Sequence, residues 1–351
     1  MRHERWQDVT IDVYYHPGHE ANVERMVRGA QAGLDYGARN FGRYPLRELR
    51  IVEFPRYSTG AVAYPGVIPF SESAGFIARI DPGSPKDLDY PFYISAHETA
   101  HQWWGHQLVG ANTRGSTVLS EGLSEYMALM VMQRAYGPNK MRRFLRYDLD
   151  RYLRGRASEQ NKEAPLALNE QQPYIHYQKG ALALYLMQDM LGEDVVNGVL
   201  RGLLDRHGYQ GPPYPTASNL IDGLRAVTPP SKAYLIDDLF ESIVLYENRT
   251  DSATAQRRAD GRYDVTIRAS AGKMRATDQG EEQPMPLHDF IEFGVDDSDG
   301  NPLARERRLV SQAEQQITLV VDGIPARAGI DPDNKLIDRK PRDNMLAVDK
   351  Q

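Results

Sequence analysis

Helical and strand-like patterns occupy different parts of this chain. The segment "EANVERMVRGAQAGLDYGARNFG" has apolar positions at helical spacing and stops at Gly42, so it predicts a helix. The opening "RWQDVTIDVYYHPGHE" reads as a strand running straight into that helix. "LRELRIVEF" and "GAVAYPGVIPF" read as strands, and "GFIARID" as a third. Pro65 marks the second as an edge strand or a bend, because proline cannot donate to a ladder. Asp89 is placed to cap a helix, Pro91 fits its first turn, and the pattern continues to Gly110. A second helix opens at Ser116 or Thr117 and ends at Gly137-Pro138, and an arginine-rich third follows in "KMRRFLRYDLDRYLRGR". Further helical patterns cover about 174–206, 216–226 and 232–246, broken by "GPPYPT" and "TPPS".

Near residue 250 the period changes from helical to alternating. "RYDVTIRAS" puts Tyr263, Val265 and Ile267 on one face, and "HDFIEFGV" and "QITLVVDG" are also strand-like. With turn signals such as "DSDG" between them, these predict a small β-sandwich of about 100 residues. The polar stretch "NRTDSATAQRRADG" is read as the boundary before it.

Composition narrows the functions open to such a chain. Its net charge of −6 gives no electrostatic case for nucleic acid or an anionic membrane. No apolar run approaches the ~18 residues that cross a bilayer. The first residues lack a charged start followed by an apolar core, so no signal peptide is expected, and the abrupt opening suggests a cut from something longer. There are no cysteines, so any metal must be held by His, Asp or Glu.

The stretch "AHETAHQWWG" offers such a set. On a helix, His97 and His101 lie one turn apart on one face, and both imidazoles can reach one ion. Glu98 sits about 100° around the helix, where it can touch a water on that ion without ligating it. The bland alternative is a buried aromatic helix with capping histidines. A catalytic zinc needs a third protein ligand and an open fourth position. Glu121 in "VLSEGLSEY" can supply the ligand, since an exposed carboxylate there would be odd beside Leu119 and Leu123. Glu125, one turn on, either hydrogen-bonds a ligand histidine or faces solvent.

"HETAHQWWG" followed by "LSEGLSEY" resembles the zinc aminopeptidases related to aminopeptidase N and leukotriene hydrolase, and "YIHYQKGALALYLM" is similar to their Tyr-x-Lys-Gly helix. The resemblance covers roughly 45–250. It implies an α+β fold: a thermolysin-like zinc metallopeptidase domain (a small sheet plus a mostly α-helical lobe), followed by the β-sandwich. On that reading 1–45 is the end of a truncated N-terminal β region plus the first helix, 46–250 the catalytic domain, and 251–351 the sandwich. It implies one zinc ion on His97, His101 and Glu121, Glu98 as general base, and Tyr177 as donor to the oxyanion. A peptide substrate would lie along Gly60, Ala61, Val62 and Ala63. The whole chain resembles a bacterial branch in which such a domain ends a membrane protein of the ABC-permease type. That likeness implies attachment to membrane-spanning segments outside this chain.

The sequence departs from the family pattern twice. Nineteen residues separate His101 from Glu121, where the family usually has eighteen. The second departure concerns the substrate: Ala63 stands where the family's amine-binding glutamate belongs, with Glu72 in "PFSES" as a possible replacement. Losing that charge-assisted contact would cost about 1.5–3 kcal/mol of substrate binding. Three readings therefore stand: an aminopeptidase-like hydrolase, an endopeptidase or epoxide hydrolase opened by Ala63, and a zinc-binding but weakly active peptide-recognition domain of a transporter assembly. His106 reads as a helix-end cap, Trp103 and Trp104 as core, and His176 as either a pocket residue or a surface residue.

Overall fold

The computed structural model describes residues 1–81, 84 and 87–350. The chain divides into two compact units, one of residues 1–138 with 166–228 and one of 139–165 with 229–351.

The first unit begins with a four-stranded sheet in the order β1-β2-β3-β4. Strands β1 (Arg2–Trp6) and β2 (Val9–Tyr14) form an antiparallel hairpin. The opening is therefore two strands and not one, turning at Gln7, whose φ is 50°. β2 pairs in parallel with β3 (Glu48–Phe54), and β3 with β4 (Val67–Ser71). Val9, Ile11 and Val13 alternate inward and are all buried, as a strand with one covered face requires. Beyond β4 the segment Gly60–Tyr64 turns back antiparallel along it. Val62 N donates to Pro69 O at 3.0 Å, and Tyr64 and Val67 exchange bonds of 2.7 and 3.0 Å. Pro65-Gly66 makes the turn between them, with Gly66 at φ 74°. "GFIARID" is not a strand. Phe76 packs on Phe70, and the Asn22 amide donates to the carbonyls of Gly75 and Ala78 at 2.8 and 2.7 Å. Those side-chain bonds replace the ladder.

The helices cover this sheet. α1 (Val23–Phe41) lies against α2 (Tyr90–Ala100), and α2 lies against α3 (Glu121–Tyr136). α2 begins as predicted, with the Asp89 side chain accepting from Phe92 N at 3.3 Å. It ends ten residues before Gly110, because Gly105 at φ 109° turns the chain back on itself. Gly105 N bonds Leu108 O and Leu108 N bonds Trp103 O, both at 2.9 Å, and Trp103 and Trp104 are fully buried there. α4 (Met141–Ser158) belongs to the second unit. α5 (Gly180–Leu191), α6 (Glu193–His207) and α7 (Ala217–Val227) complete the first.

In the second unit the helical pattern over 232–246 stops at Glu241, and β5 (Ile243–Tyr246) follows, buried throughout. The presumed boundary stretch is itself a strand, β6 (Arg249–Arg257), with Thr250, Ala253 and Ala255 buried. Small residues at alternate positions disguise it as a polar linker. β7 (Tyr263–Ser270), β8 (Lys273–Ala276), β9 (Glu282–Pro284), β10 (Asp289–Asp296), β11 (Pro302–Val310), β12 (Glu314–Val321), β13 (Arg327–Ile330), β14 (Met345–Ala347) and β15 (Asp349–Lys350) make the rest. Sheets β11-β10-β13-β14 and β12-β7-β6-β15 face each other, β13 and β14 packing on β6. β5, β8 and β9 form a third, small sheet.

The approach of α1 to α2 depends on glycine. A Cβ at Gly29 would lie 2.3 Å from the Phe92 carbonyl oxygen, and one at Gly37 would lie 2.4 Å from the Trp103 ring. The first contact is with backbone, so α2 itself would have to move. Gly29→Ala is expected to cost about 1–3 kcal/mol of stability, read as a lower urea midpoint with an unchanged slope.

Candidate metal centre

α2 carries His97 and Glu98 in its last turn and ends at His101. Packing between α1 and α3 leaves His97 only 6% and Glu98 5% exposed. α3 opens on Glu121, whose carboxylate meets both histidines. Glu121 Oε2 lies 3.4 Å from His97 Nε2 and 3.2 Å from His101 Nε2. The two Nε2 atoms are 3.1 Å apart. Two donors each 2.0–2.1 Å from a tetrahedral zinc would sit about 3.3 Å apart, so the three side chains have the spacing of a ligand triad. The donor chemistry fits as well, since with each ring carrying its hydrogen on Nδ1 two nitrogen lone pairs and a carboxylate oxygen converge on one point.

The outer nitrogens of both rings are held. His101 Nδ1 is 2.9 Å from Trp104 O and 3.1 Å from Ser124 Oγ. His97 Nδ1 faces Glu125 Oε2 at 3.5 Å, longer than a hydrogen bond, and the Tyr93 hydroxyl donates to that same oxygen. Glu125 is thus buried against the ligand histidine and does not face solvent. Tyr177 lies in the wide helical turn Tyr174–Lys179 before α5, half-buried, with its ring 5.9 Å from that of His97 and its hydroxyl near Glu121. The connection between His101 and Glu121 is irregular and ends in the 3-10 turn Ser116–Leu119.

Charge in this space is tightly coupled. Burial raises the Glu98 pKa above the usual carboxylate range, against the pull of His97 and His101. Burial would also raise Glu121, but His101 and His97 beside it hold it far below that range. Burial works to lower His97, yet Glu125 and Glu121 outweigh it and leave its pKa well above 6.5. Burial first, and then Glu121, pushes the Tyr177 phenol up, so it keeps its proton.

Gly60, Ala61, Val62 and Ala63 lie in the edge segment, where the groups of Gly60 and Val62 that bond β4 alternate with outward-facing backbone. Glu72 is not among the groups around Glu98. It accepts the Arg56 backbone N–H at 3.2 Å and clusters with His19 and Glu53. One residue without a role in the sequence pattern ties the edge segment to the loop after α2. Buried Gln102 accepts from Gly66 N at 2.9 Å and donates to Tyr64 O at 3.1 Å. His106, read as a helix cap, instead lies beside the Ala63 backbone. A lone glutamine inside the apolar run "HQWWG" was the available signal. His176 is buried, with Nδ1 2.8 Å from the Asn169 amide.

The pH behaviour of the metal-free chain follows. A histidine whose folded pKa is raised contributes stability that is complete below its unfolded value near 6.5 and is lost as pH rises through the folded value. His106 and His176 are shifted down by burial, so their effect appears only on acidification below that value. In chelator, the melting temperature is therefore expected to fall as pH rises above 7, and His97→Gln should flatten this slope.

Residues 29–230, more than half of the chain, match the Peptidase family M1 domain. Endoplasmic reticulum aminopeptidase 2 of Homo sapiens is 26% identical over 218 residues, covering 58% of this chain and 22% of the relative. Aminopeptidase N of Canis lupus familiaris is 28% identical over 196 residues, covering 52% and 20% respectively. The chain spans about a fifth of the length of these curated relatives. Legionella pneumophila aminopeptidase A, solved in complex with aspartic acid, shares the fold with a TM-score of 0.56 at 17% identity, over 94% of this chain and 36% of that one. With its helix-borne His97, Glu98 and His101 followed by Glu121, and with that match over 29–230, the chain belongs to the Peptidase M1 family.

Proposed function

We propose that this chain is a zinc-dependent metallopeptidase, aminopeptidase-like in its machinery. The observation that carries this is the spacing of His97 Nε2, His101 Nε2 and Glu121 Oε2, all within 3.4 Å of one another, with buried Glu98 between the two histidines in sequence. A zinc ion held by these three would polarise a scissile carbonyl and make water more acidic.

The protein's own groups supply the rest. Glu98 takes the proton of the attacking water and passes it to the departing amine, and its desolvated carboxylate is more basic than an exposed one. Tyr177, kept protonated, donates to the oxyanion that develops on the substrate, a contact stronger in the transition state than before it. Glu125 orients His97, and Trp104 O with Ser124 orient His101, which fixes the nitrogen each ring presents. The outward backbone groups of the Gly60–Tyr64 edge accept a peptide as an added strand. A membrane anchor is outside what this chain displays: no described helix is long and apolar enough to cross a membrane.

Ala63 favours a second reading of specificity. A methyl group at that position holds no charge for a substrate ammonium, so the same machinery would cut peptides whose N-terminus is blocked. One peptide, free and N-acetylated, incubated with zinc-loaded protein and read by mass spectrometry separates the cases. Cleavage of the free form alone supports an aminopeptidase anchored elsewhere, cleavage of both supports an endopeptidase-like site, and cleavage of neither removes the peptidase reading.

Glu98→Gln is expected to retain zinc and lose turnover, and Tyr177→Phe to lower kcat by about 10²–10³ with little change in zinc content. Full activity in Glu98→Gln would contradict the mechanism. Ala63→Glu is expected to raise kcat/KM for the free peptide over the acetylated one by roughly 10- to 100-fold, the value of a charge-assisted contact.

A further inference from the structure

A second set of metal-binding atoms converges away from the His97 group. His19 lies in the loop after β2, Glu53 near the end of β3, and Glu72 one residue beyond β4. One donor atom from each lies within 4.8 Å of the others. His19 Nδ1 is 2.5 Å from Glu53 Oε1, and the other Glu53 oxygen accepts the His16 backbone N–H at 2.5 Å. The Glu53 side chain is 1% exposed and that of Glu72 16%, so one carboxylate is cut off from water beside another. Two such charges repel unless a cation lies between them, and His19, when protonated, offsets only one of the two, that of Glu53. Arg56 approaches Glu72 only to 3.8 Å and is 73% exposed, which makes it a weak neutraliser. The His16 ring stands 6.0 Å from that of His19, a further imidazole at hand.

We propose that His19, Glu53 and Glu72 form a second divalent-cation site, separate from the His97 group, for a first-row transition ion such as Zn²⁺ or Mn²⁺. An imidazole with two carboxylates is a mixed nitrogen–oxygen set, which suits these ions better than Mg²⁺ or Ca²⁺ with their preference for oxygen alone. Three protein ligands leave coordination positions for water or for His16. Entry of the ion replaces the His19–Glu53 hydrogen bond. The ring in its protonated form loses the Nδ1 proton to solvent and keeps the one on Nε2, the Nδ1 lone pair turns to the ion, and the two atoms separate by about 0.5–1 Å to ligand spacing. His19, at the open side of the cluster, can make that adjustment by rotating its side chain. The ligands come from three separate segments, and Glu72 also holds the Arg56 backbone. Residues 55–59 lead from β3 into the Gly60–Tyr64 edge, so the ion would brace the root of that edge.

The test is an ion count on the full chain by equilibrium dialysis against micromolar zinc, with metal measured by mass spectrometry. Two ions per chain are expected for the unaltered protein, one for His19→Ala and one for Glu53→Gln. The double variant His97→Ala, His101→Ala should also keep one, lost when His19→Ala is added. One ion in the unaltered chain that is kept in folded His19→Ala overturns the proposal, and two ions in folded His19→Ala and Glu53→Gln chains also overturn it. Circular dichroism confirms folding, and Glu72→Gln replaces any variant that unfolds. A single ion lost with His97 would leave the peptidase reading intact and remove this one. A single ion lost with His19 alone would do the reverse.

Discussion

The close packing of α2 between α1 and α3 is the constraint on which the site depends. Gly29 and Gly37 let α1 approach until its backbone nearly touches the Phe92 carbonyl and the Trp103 ring. On the other side, α3 brings Glu121 and Glu125 to the two faces of His97. A helix held so tightly excludes water from His97 and Glu98, and exclusion of water is costly for charged groups unless each finds a partner. The partners are present: Glu121 and Glu125 for the histidines, Tyr93 for Glu125, and Trp104 O and Ser124 for His101. Burial and pairing together give a carboxylate more basic than usual and a phenol that stays protonated, the two protonation states that peptide hydrolysis needs.

The same packing places the substrate edge. Immediately after His101 the chain leaves α2, and Gln102 grips the Tyr64–Gly66 turn from both sides of its amide. His106, in the same loop, lies beside the Ala63 backbone. The Gly60–Tyr64 edge is thus tied to the His97–His101 helix end through Gln102, so on the proposed reading a peptide laid on that edge is registered against Glu98 and Tyr177. A methyl group stands at Ala63, and the Gly60–Tyr64 edge keeps its backbone pairing to β4.

The convergence of His97, His101 and Glu121 was legible in the sequence because their spacing is a property of one helix and the start of another. His97 and His101 share a face by helical period alone, and Glu121 stands out as a carboxylate among Leu119 and Leu123. What lay hidden depended on contacts distant in sequence. Gln102 looks like any surface glutamine until Tyr64 and Gly66 arrive beside it, and Glu72 shows its neighbours only once β3 and β4 are paired. The strand at Arg249–Arg257 was missed because Thr250, Ala253 and Ala255 are too small to mark an apolar alternation. The length of α2 was overestimated because Trp103 and Trp104 continue its apolar character past the point where Gly105 turns the chain.

The central claim is that His97, His101 and Glu121 share one ion, and a zinc-edge anomalous difference map from crystals of the zinc-loaded chain tests it most directly. The account predicts a peak about 2.0–2.2 Å from His97 Nε2, His101 Nε2 and a Glu121 carboxylate oxygen, with the fourth position open toward Glu98 and Tyr177. A map without density among these three side chains, or with a peak on only one of them, would contradict it.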